Sequence, residues 1–411
     1  MNPPIDLIIL TMSRWDDPYS STIFSLSKEF AKTHRVFYID HPFTLKDVLS
    51  NYQQPAITRR QKALLWGQDV FHKVGGTLPN LTTVTPRFTL PINWANKPLY
   101  DSLSNWADKV ILSAIRKTVK TYNIQQYIFI NSFDPFFART FPAEQPPLLY
   151  IYQSTDDMSQ GPYVAKHGVW LEQQAFQKAD LTLTTSQSLA QYARQYSSNV
   201  ALLPNAADVS LFKQAITQTY QRPADIQHIT TPIILYIGNL SQSRTNYSLI
   251  KAIATHHHNK HLLFIGPIDS DDYLQYGLDK QSNVTFLPPK NIKELPPYLQ
   301  AAACGIIPFK VNQLTQSIYP LKINEYLAAG KPVITTNFSP DITDFAHIAF
   351  VTNTDQEFID AIQTAIDTDS TTLQQERVMI AESNSWQNRA KRFWELVNTC
   401  LAQKRTFAPI G

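Results

Sequence analysis

The stretch IYPLKINEYLAAGKPVITT, residues 318–336, decides how this chain is read. Pro320 suits a first helical turn, where a missing N–H costs nothing. Leu321, Ile323, Leu327 and Ala328 supply the apolar side of a short helix, while Lys322 and Glu325 stand three apart on one side of it. Gly330 takes the place of a glycine helix stop. Lys331-Pro332 then turns the chain into 333–336 (VITT), a short apolar run that reads as a buried strand. The pattern is therefore helix, tight turn and core strand, with two charges near the helix start.

Those charges admit two explanations. A helix N-terminus binds anions through free N–H groups and its dipole. A first-turn lysine gains nothing from that dipole, so Lys322 makes more sense beside a bound phosphate. Glu325, one turn further in, can accept two hydrogen bonds from a sugar diol. The pair would then hold a diphosphate and a ribose. Alternatively it is a surface ion pair worth less than ~1 kcal/mol.

The pattern P-L-K-x-x-E-Y-L-A-x-G-K-P-V, 320–333, resembles the donor motif of GT-B glycosyltransferases, in particular the group 1 or GT4-like bacterial enzymes of teichuronic acid or exopolysaccharide type. The resemblance implies an α/β fold with two Rossmann-like domains facing a cleft. It also implies a C-terminal helix that crosses back to the N-terminal domain. In the family the glutamate matching Glu325 binds the donor's ribose. Many members have another glutamate eight positions earlier; Ser317 stands there, so the usual carboxylate contact to the donor sugar is missing, a trait of the PLK-type subfamily. The expected domains are 1–215 for the acceptor, 216–385 for the donor, and 386–411 as the returning helix.

Composition agrees with a globular chain. It has 411 residues, enough for two domains, 43% of them hydrophobic, with a net charge of +3. So small a charge argues against nucleic acid as a partner. Cys304 and Cys400 form no disulfide framework, which favours a reducing, cytoplasmic compartment. The start, MNPPIDLIIL, has neither the basic opening nor the cleavage site of a signal peptide, and no apolar run reaches the ~20 residues of a membrane span.

Along the chain, DLIIL (6–10), a loop 11–20, a helix 21–33 and VFYI (36–39) make a doubly wound β-loop-α-β start. No G-x-G-x-x-G accompanies it, which argues against a dehydrogenase. Residues 43–99 give little regular pattern. Further strands read at 127–130, 148–151, 181–184 and 200–203; the polar stretch 214–231 reads as a linker, and PIILYI (232–237) restarts the alternation.

Other candidates follow these strands. Gly238-Asn239 and Arg244 match the family's phosphate loop, with Asn239 in the usual arginine place and Arg244 in the usual lysine place; a planar guanidinium suits phosphate. Asn312 and Thr315 resemble the loop facing the donor. With Pro320, Leu321, Lys322 and Glu325 these complete the expected donor site. Arg14, Trp15 and Asp16 follow the first strand, and Asp156-Asp157 follow 148–151; these are acceptor candidates, Asp156 also as a base. For the two aspartates, turn and cap chemistry is the alternative. Asp269-Ser270-Asp271 reads as a helix start and 256–258 (HHH) as a helix end, so no metal and no cofactor is expected beyond the nucleoside-diphosphate-sugar substrate.

Basic and aromatic residues concentrate in 57–120, where Arg59, Arg60, Lys62 and Lys73 flank Leu64, Leu65, Trp66, Val70 and Phe71. The segment reads either as a membrane-surface contact, peripheral at the inner face of the cell membrane, or as a solvated covering of the first domain. The expected activity is a retaining, hexosyl-type transfer to a saccharide or lipid-linked acceptor. A nucleotide-sugar 2-epimerase of the same fold and a non-catalytic nucleotide-sugar binder remain the alternatives.

Overall fold

A computed structural model describes residues 5–17 and 21–406; the chain ends 1–4 and 407–411 and the loop residues 18–20, included in the ranges expected above, lie outside the described residues. Two compact units result. One comprises 1–204 with 389–411, the other 205–388.

In the first unit, β1 (Asp6–Thr11), β2 (Val36–Ile39), β4 (Leu78–Val84), β5 (Tyr127–Ser132), β6 (Leu149–Ser154), β7 (Leu181–Thr184) and β8 (Val200–Leu202) run parallel. With β3 (Phe71–Gly75), antiparallel to β4, the sheet order is β3-β4-β2-β1-β5-β6-β7-β8. Continuous apolar runs such as Leu7–Leu10 are fully buried because helices cover both faces of a parallel sheet.

The segment 43–99 departs from the patternless reading. It holds the short helices Leu45–Ser50, Pro55–Thr58 and Gln61–Trp66 and the β3–β4 hairpin, whose second strand enters the sheet beside β2. It is not one amphipathic cationic element: Leu64 and Val70 are buried, Arg60 is tied to carboxylates, and Leu65 and Trp66 are exposed.

The second unit is the parallel sheet β11-β10-β9-β12-β13-β14. Its strands are β9 (Ile233–Ile237), β10 (His261–Ile265), β11 (Val284–Leu287), β12 (Ala302–Ile307), β13 (Val333–Thr336) and β14 (Phe350–Thr352). Residues 205–230, including much of the polar stretch 214–231, pack on this unit. Phe212 and Ile226 are buried in its core, and Asp225 accepts from Lys290 and Tyr298.

The last helix, Trp386–Thr406, packs against the first unit, as the family resemblance implies. Phe393 meets Phe30 at 4.6 Å between ring centroids, Trp394 stacks on His34 at 4.3 Å, and Lys404 pairs with Asp180 at 2.8 Å.

Candidate active site

In the second sheet the strand order reverses at β9. β9 leads outward to β10 and β11 on one side, while β12, β13 and β14 lie on the other. Open α/β sheets bind ligands at the carboxyl ends of the strands where the order switches. The loops at that point follow β9 and β12, and they contain the expected donor residues. They are tied together: Thr245 bridges Phe309, the Asn246 N–H donates to the Pro308 carbonyl, and the Lys310 N–H donates to the Arg244 carbonyl.

The helix Leu321–Ala328 starts at this edge, because it connects the carboxyl end of β12 to the start of β13. Pro320 precedes its first residue, and Gly330 at φ 70° ends it, a left-handed conformation that glycine adopts without a Cβ clash. The Tyr326 hydroxyl accepts the Ile237 N–H at 2.8 Å, which fixes the helix against the end of β9. Lys322 Nζ lies 2.8 Å from Glu325 Oε2. The glutamate side chain is only 4% exposed and the lysine 31%, so this is a partly buried pair rather than a solvated one. Asn324 is buried beside it and donates to the Tyr319 hydroxyl.

Gly238 and Gly266 end β9 and β10 with φ of 155° and 151°. A Cβ on Gly266 would stand 2.1 Å from the Gly238 carbonyl oxygen, so the two backbones meet where no side chain fits. Asn239 donates to Asp269 at 2.9 Å, which uses one carboxylate of the D-x-D. Arg244 is half-buried, with Nε donating to Ser241 Oγ at 3.2 Å. Asn312 and Thr315 form a capping box on the short helix Gln313–Gln316. Thr315 is fully buried and donates to the Lys310 carbonyl, and Asn312 donates to the Ser243 carbonyl. Their side chains thus shape the loop. Ser317 is buried and donates to the Leu314 carbonyl.

The first sheet reverses at β1, between β2 and β5. Arg14 follows β1; its guanidinium lies 3.7 Å above the Phe43 ring, and Nε donates to the His41 carbonyl. Trp15 packs its ring on Phe24 and Tyr38, and its backbone N–H donates to Asp40. Asp16 is held by Arg59 and Arg60, and Arg60 also reaches Asp40. Asp157 accepts from the Ser159 N–H and hydroxyl and from Gln160, the cap chemistry that was its alternative. Asp156 beside it is exposed.

Sequence reasoning missed a buried polar group at this edge. His41 follows β2, Asp134 follows β5, and His41 Nδ1 lies 2.8 Å from Asp134 Oδ2. Asp134 is fully buried, and its Oδ1, like Gln153 Nε2, has no hydrogen-bond partner among the described residues. Glu172, also buried, accepts from Ser154 and Tyr152; burial pushes its carboxyl up to about 8, with Asp157 and Asp156 adding to the shift. The signal was present as His41-Pro42 and Asp134-Pro135, each just past a buried strand.

Solved structures give the class. The chain matches sucrose-phosphate synthase from Thermosynechococcus elongatus with a TM-score of 0.64 at 15% identity, covering 97% of this chain and 100% of that one. It matches an α,α-trehalose-phosphate synthase (UDP-forming) from Burkholderia vietnamiensis at 0.68 and 10%, covering 98% and 99%. HepE of Anabaena, in complex with UDP, matches at 0.62 and 14%, covering 96% and 100%. At such identities the likeness is one of fold, and the fold is GT-B.

Sequence comparison matches part of the chain. Residues 231–368, within the second unit, match the model described as glycosyl transferases group 1. Over 106 residues the chain is 32% identical to TuaH of Bacillus subtilis (strain 168), named as a teichuronic acid biosynthesis glycosyltransferase. That match spans about a quarter of either protein, 26% of each. No helix among the described residues is long and apolar enough to cross a membrane.

Proposed function

We propose that the chain transfers a hexosyl group from a nucleoside-diphosphate sugar to a cell-surface glycan or lipid-linked acceptor, with retention of configuration and without a metal. The observation that carries this reading is the Lys322–Glu325 pair, partly buried at the start of a helix that opens onto the switch point of the second sheet. The UDP bound by HepE and the UDP-forming synthase among the relatives favour a nucleotide donor, and the naming of TuaH favours an envelope glycan.

In this reading the second unit takes the donor and the first the acceptor. Glu325 accepts hydrogen bonds from the ribose hydroxyls. Negative charge develops on the departing diphosphate as the bond to the anomeric carbon breaks, and Arg244 and Lys322 stabilise it where it forms. The leaving phosphate helps deprotonate the acceptor hydroxyl. Asp156 and the His41–Asp134 pair supply polar groups at the acceptor edge. The enzyme works in the cytoplasm, peripheral to the membrane, with the exposed Leu65 and Trp66 of the 57–120 segment turned toward the lipid.

Thermal-shift titration against UDP, GDP, dTDP, CMP and their sugars tests the donor site. Stabilisation by one nucleoside diphosphate, ~2.7 kcal/mol at a hundredfold excess over its Kd, is the expected result. Silence toward all of them refutes the donor assignment. A product that remains a nucleotide sugar would replace transfer by epimerisation.

A further inference from the structure

A groove of about 440 Å³ opens on the first unit, and none of the donor or acceptor candidates described above lines it. Its volume falls within the ~300–1,000 Å³ usual for small-ligand sites. Trp66, Val70, Val84 and Trp106 line it with apolar surface. Trp66 is 73% exposed and Trp106 45%, large aromatic groups that water leaves uncovered at real cost. Arg87, Lys109 and Lys117 stand in the same lining, and no carboxylate does. Arg87 donates to the Leu65 carbonyl and Lys117 to the Gly67 carbonyl; among the described residues neither they nor Lys109 pair with an acid. An apolar slot bordered by unneutralised cations is complementary to a molecule with a hydrocarbon chain and a phosphate.

The groove is also connected to the acceptor edge. It lies where the chain leaves β4, two strands from β1 in the sheet, which is about 10 Å at the usual strand spacing. Phe88, in the lining, packs in one cluster with Phe43. Thr89 exchanges backbone hydrogen bonds with Phe43 and Leu45, and Arg14 sits on the Phe43 ring. A headgroup held by Arg87 and Lys109 would therefore point its sugar along 43–45 toward Arg14.

We infer that this groove binds the lipid phosphate of the acceptor, its hydrocarbon chain lying between Trp66 and Trp106 and its phosphate on Arg87, Lys109 and Lys117. The inference rests on the lipid-linked form of the proposed function. Calorimetric titration of the full chain with farnesyl phosphate, below its aggregation concentration, tests it. The expected result is saturable binding at one site, at least tenfold weaker with farnesol, and at least tenfold weaker for Lys109→Glu and for Trp66→Ser. Both residues are exposed, so neither change should impair folding.

Equal affinity for farnesol would overturn phosphate recognition, and equal effects of inorganic phosphate would overturn the lipid slot. Binding to phosphatidylglycerol vesicles without binding of farnesyl phosphate would make the face a bulk-membrane contact and defeat the proposal. Nucleotide thermal shifts on the unaltered chain separate this from the donor site. A chain that binds farnesyl phosphate but no nucleotide keeps the groove and loses the transferase reading; the reverse loses only the groove.

Discussion

Replacing Glu325 by Gln tests the donor site with little change of shape. The side chain is 4% exposed and lies 2.8 Å from Lys322, so the substitution exchanges an acceptor-only group for one carrying an N–H2 against an ammonium. Each charge-assisted hydrogen bond to a ribose hydroxyl is worth about 1.5–3 kcal/mol. Loss of one converts to a fall in affinity of roughly 10- to 150-fold. Fold stability should change less, because Lys322 is 31% exposed and water can take over its solvation. The informative assay is calorimetry with the matching nucleoside diphosphate and monophosphate, on Glu325→Gln and on Lys322→Ala. Ribose is common to both ligands, so the glutamine variant should lose affinity equally for each. The alanine variant should lose it mainly for the diphosphate. A glutamine variant within twofold of the unaltered chain for both ligands would refute the reasoning.

Two further outcomes follow from buried groups. Burial pushes Glu172 up to about 8, so between the ordinary carboxylate range and that value the native state holds one proton more than the unfolded chain. Stability therefore falls as pH rises through this window, by ~1.4 kcal/mol per pH unit; Glu172→Gln should flatten the melting-temperature profile between pH 5.5 and 8.5, and parallel profiles would disprove the shift. Gly266→Ala places a Cβ 2.1 Å from the Gly238 carbonyl oxygen, with φ at 151°. The backbone conformation alone costs ~1–3 kcal/mol, so a lower melting temperature and weaker nucleotide binding should appear together; an alanine variant that binds nucleotide normally would show that the meeting of these two loops is dispensable.

The second unit was legible because its signals are local. β9, β10 and β13 are buried on both faces and read as unbroken apolar runs, and the motif helix carries its start, charges and stop within a dozen residues. The first unit hid β4. Leu78-Pro79-Asn80-Leu81-Thr82-Thr83-Val84 buries threonines as well as aliphatics, so neither alternation nor an apolar run marked it. The cue was Gly75-Gly76, two consecutive glycines at positive φ that turn the hairpin. Asn312 and Thr315 resembled ligand contacts, but Asn and Thr three residues apart also make a capping box, which the structure has here, so their pattern alone does not separate the two roles. His41 and Asp134 lie 93 residues apart and meet only because β2 and β5 flank β1. No spacing rule reports such a pair.

Both sheets offer a ligand edge, and charge decides which favours the diphosphate. At the first, the cations already face acids: Arg59 and Arg60 hold Asp16, Arg60 holds Asp40, and Arg14 lies in the field of Asp17, Asp40 and Asp47. An incoming diphosphate would compete with carboxylates that are held in place. At the second, Arg244 and Lys310 donate only to neutral partners among the described residues, Ser241 and the Gln242 carbonyl, and Lys322 has a single carboxylate within its own helix. A diphosphate arriving there exchanges weak neutral bonds for charge-assisted ones, about twice as strong. On the proposed function, Glu325 released from Lys322 would be free to accept the ribose hydroxyls. The ion pair seen between them would then separate into the two contacts that a nucleotide sugar needs, and this is why the Glu325 and Lys322 variants should fail with different ligands.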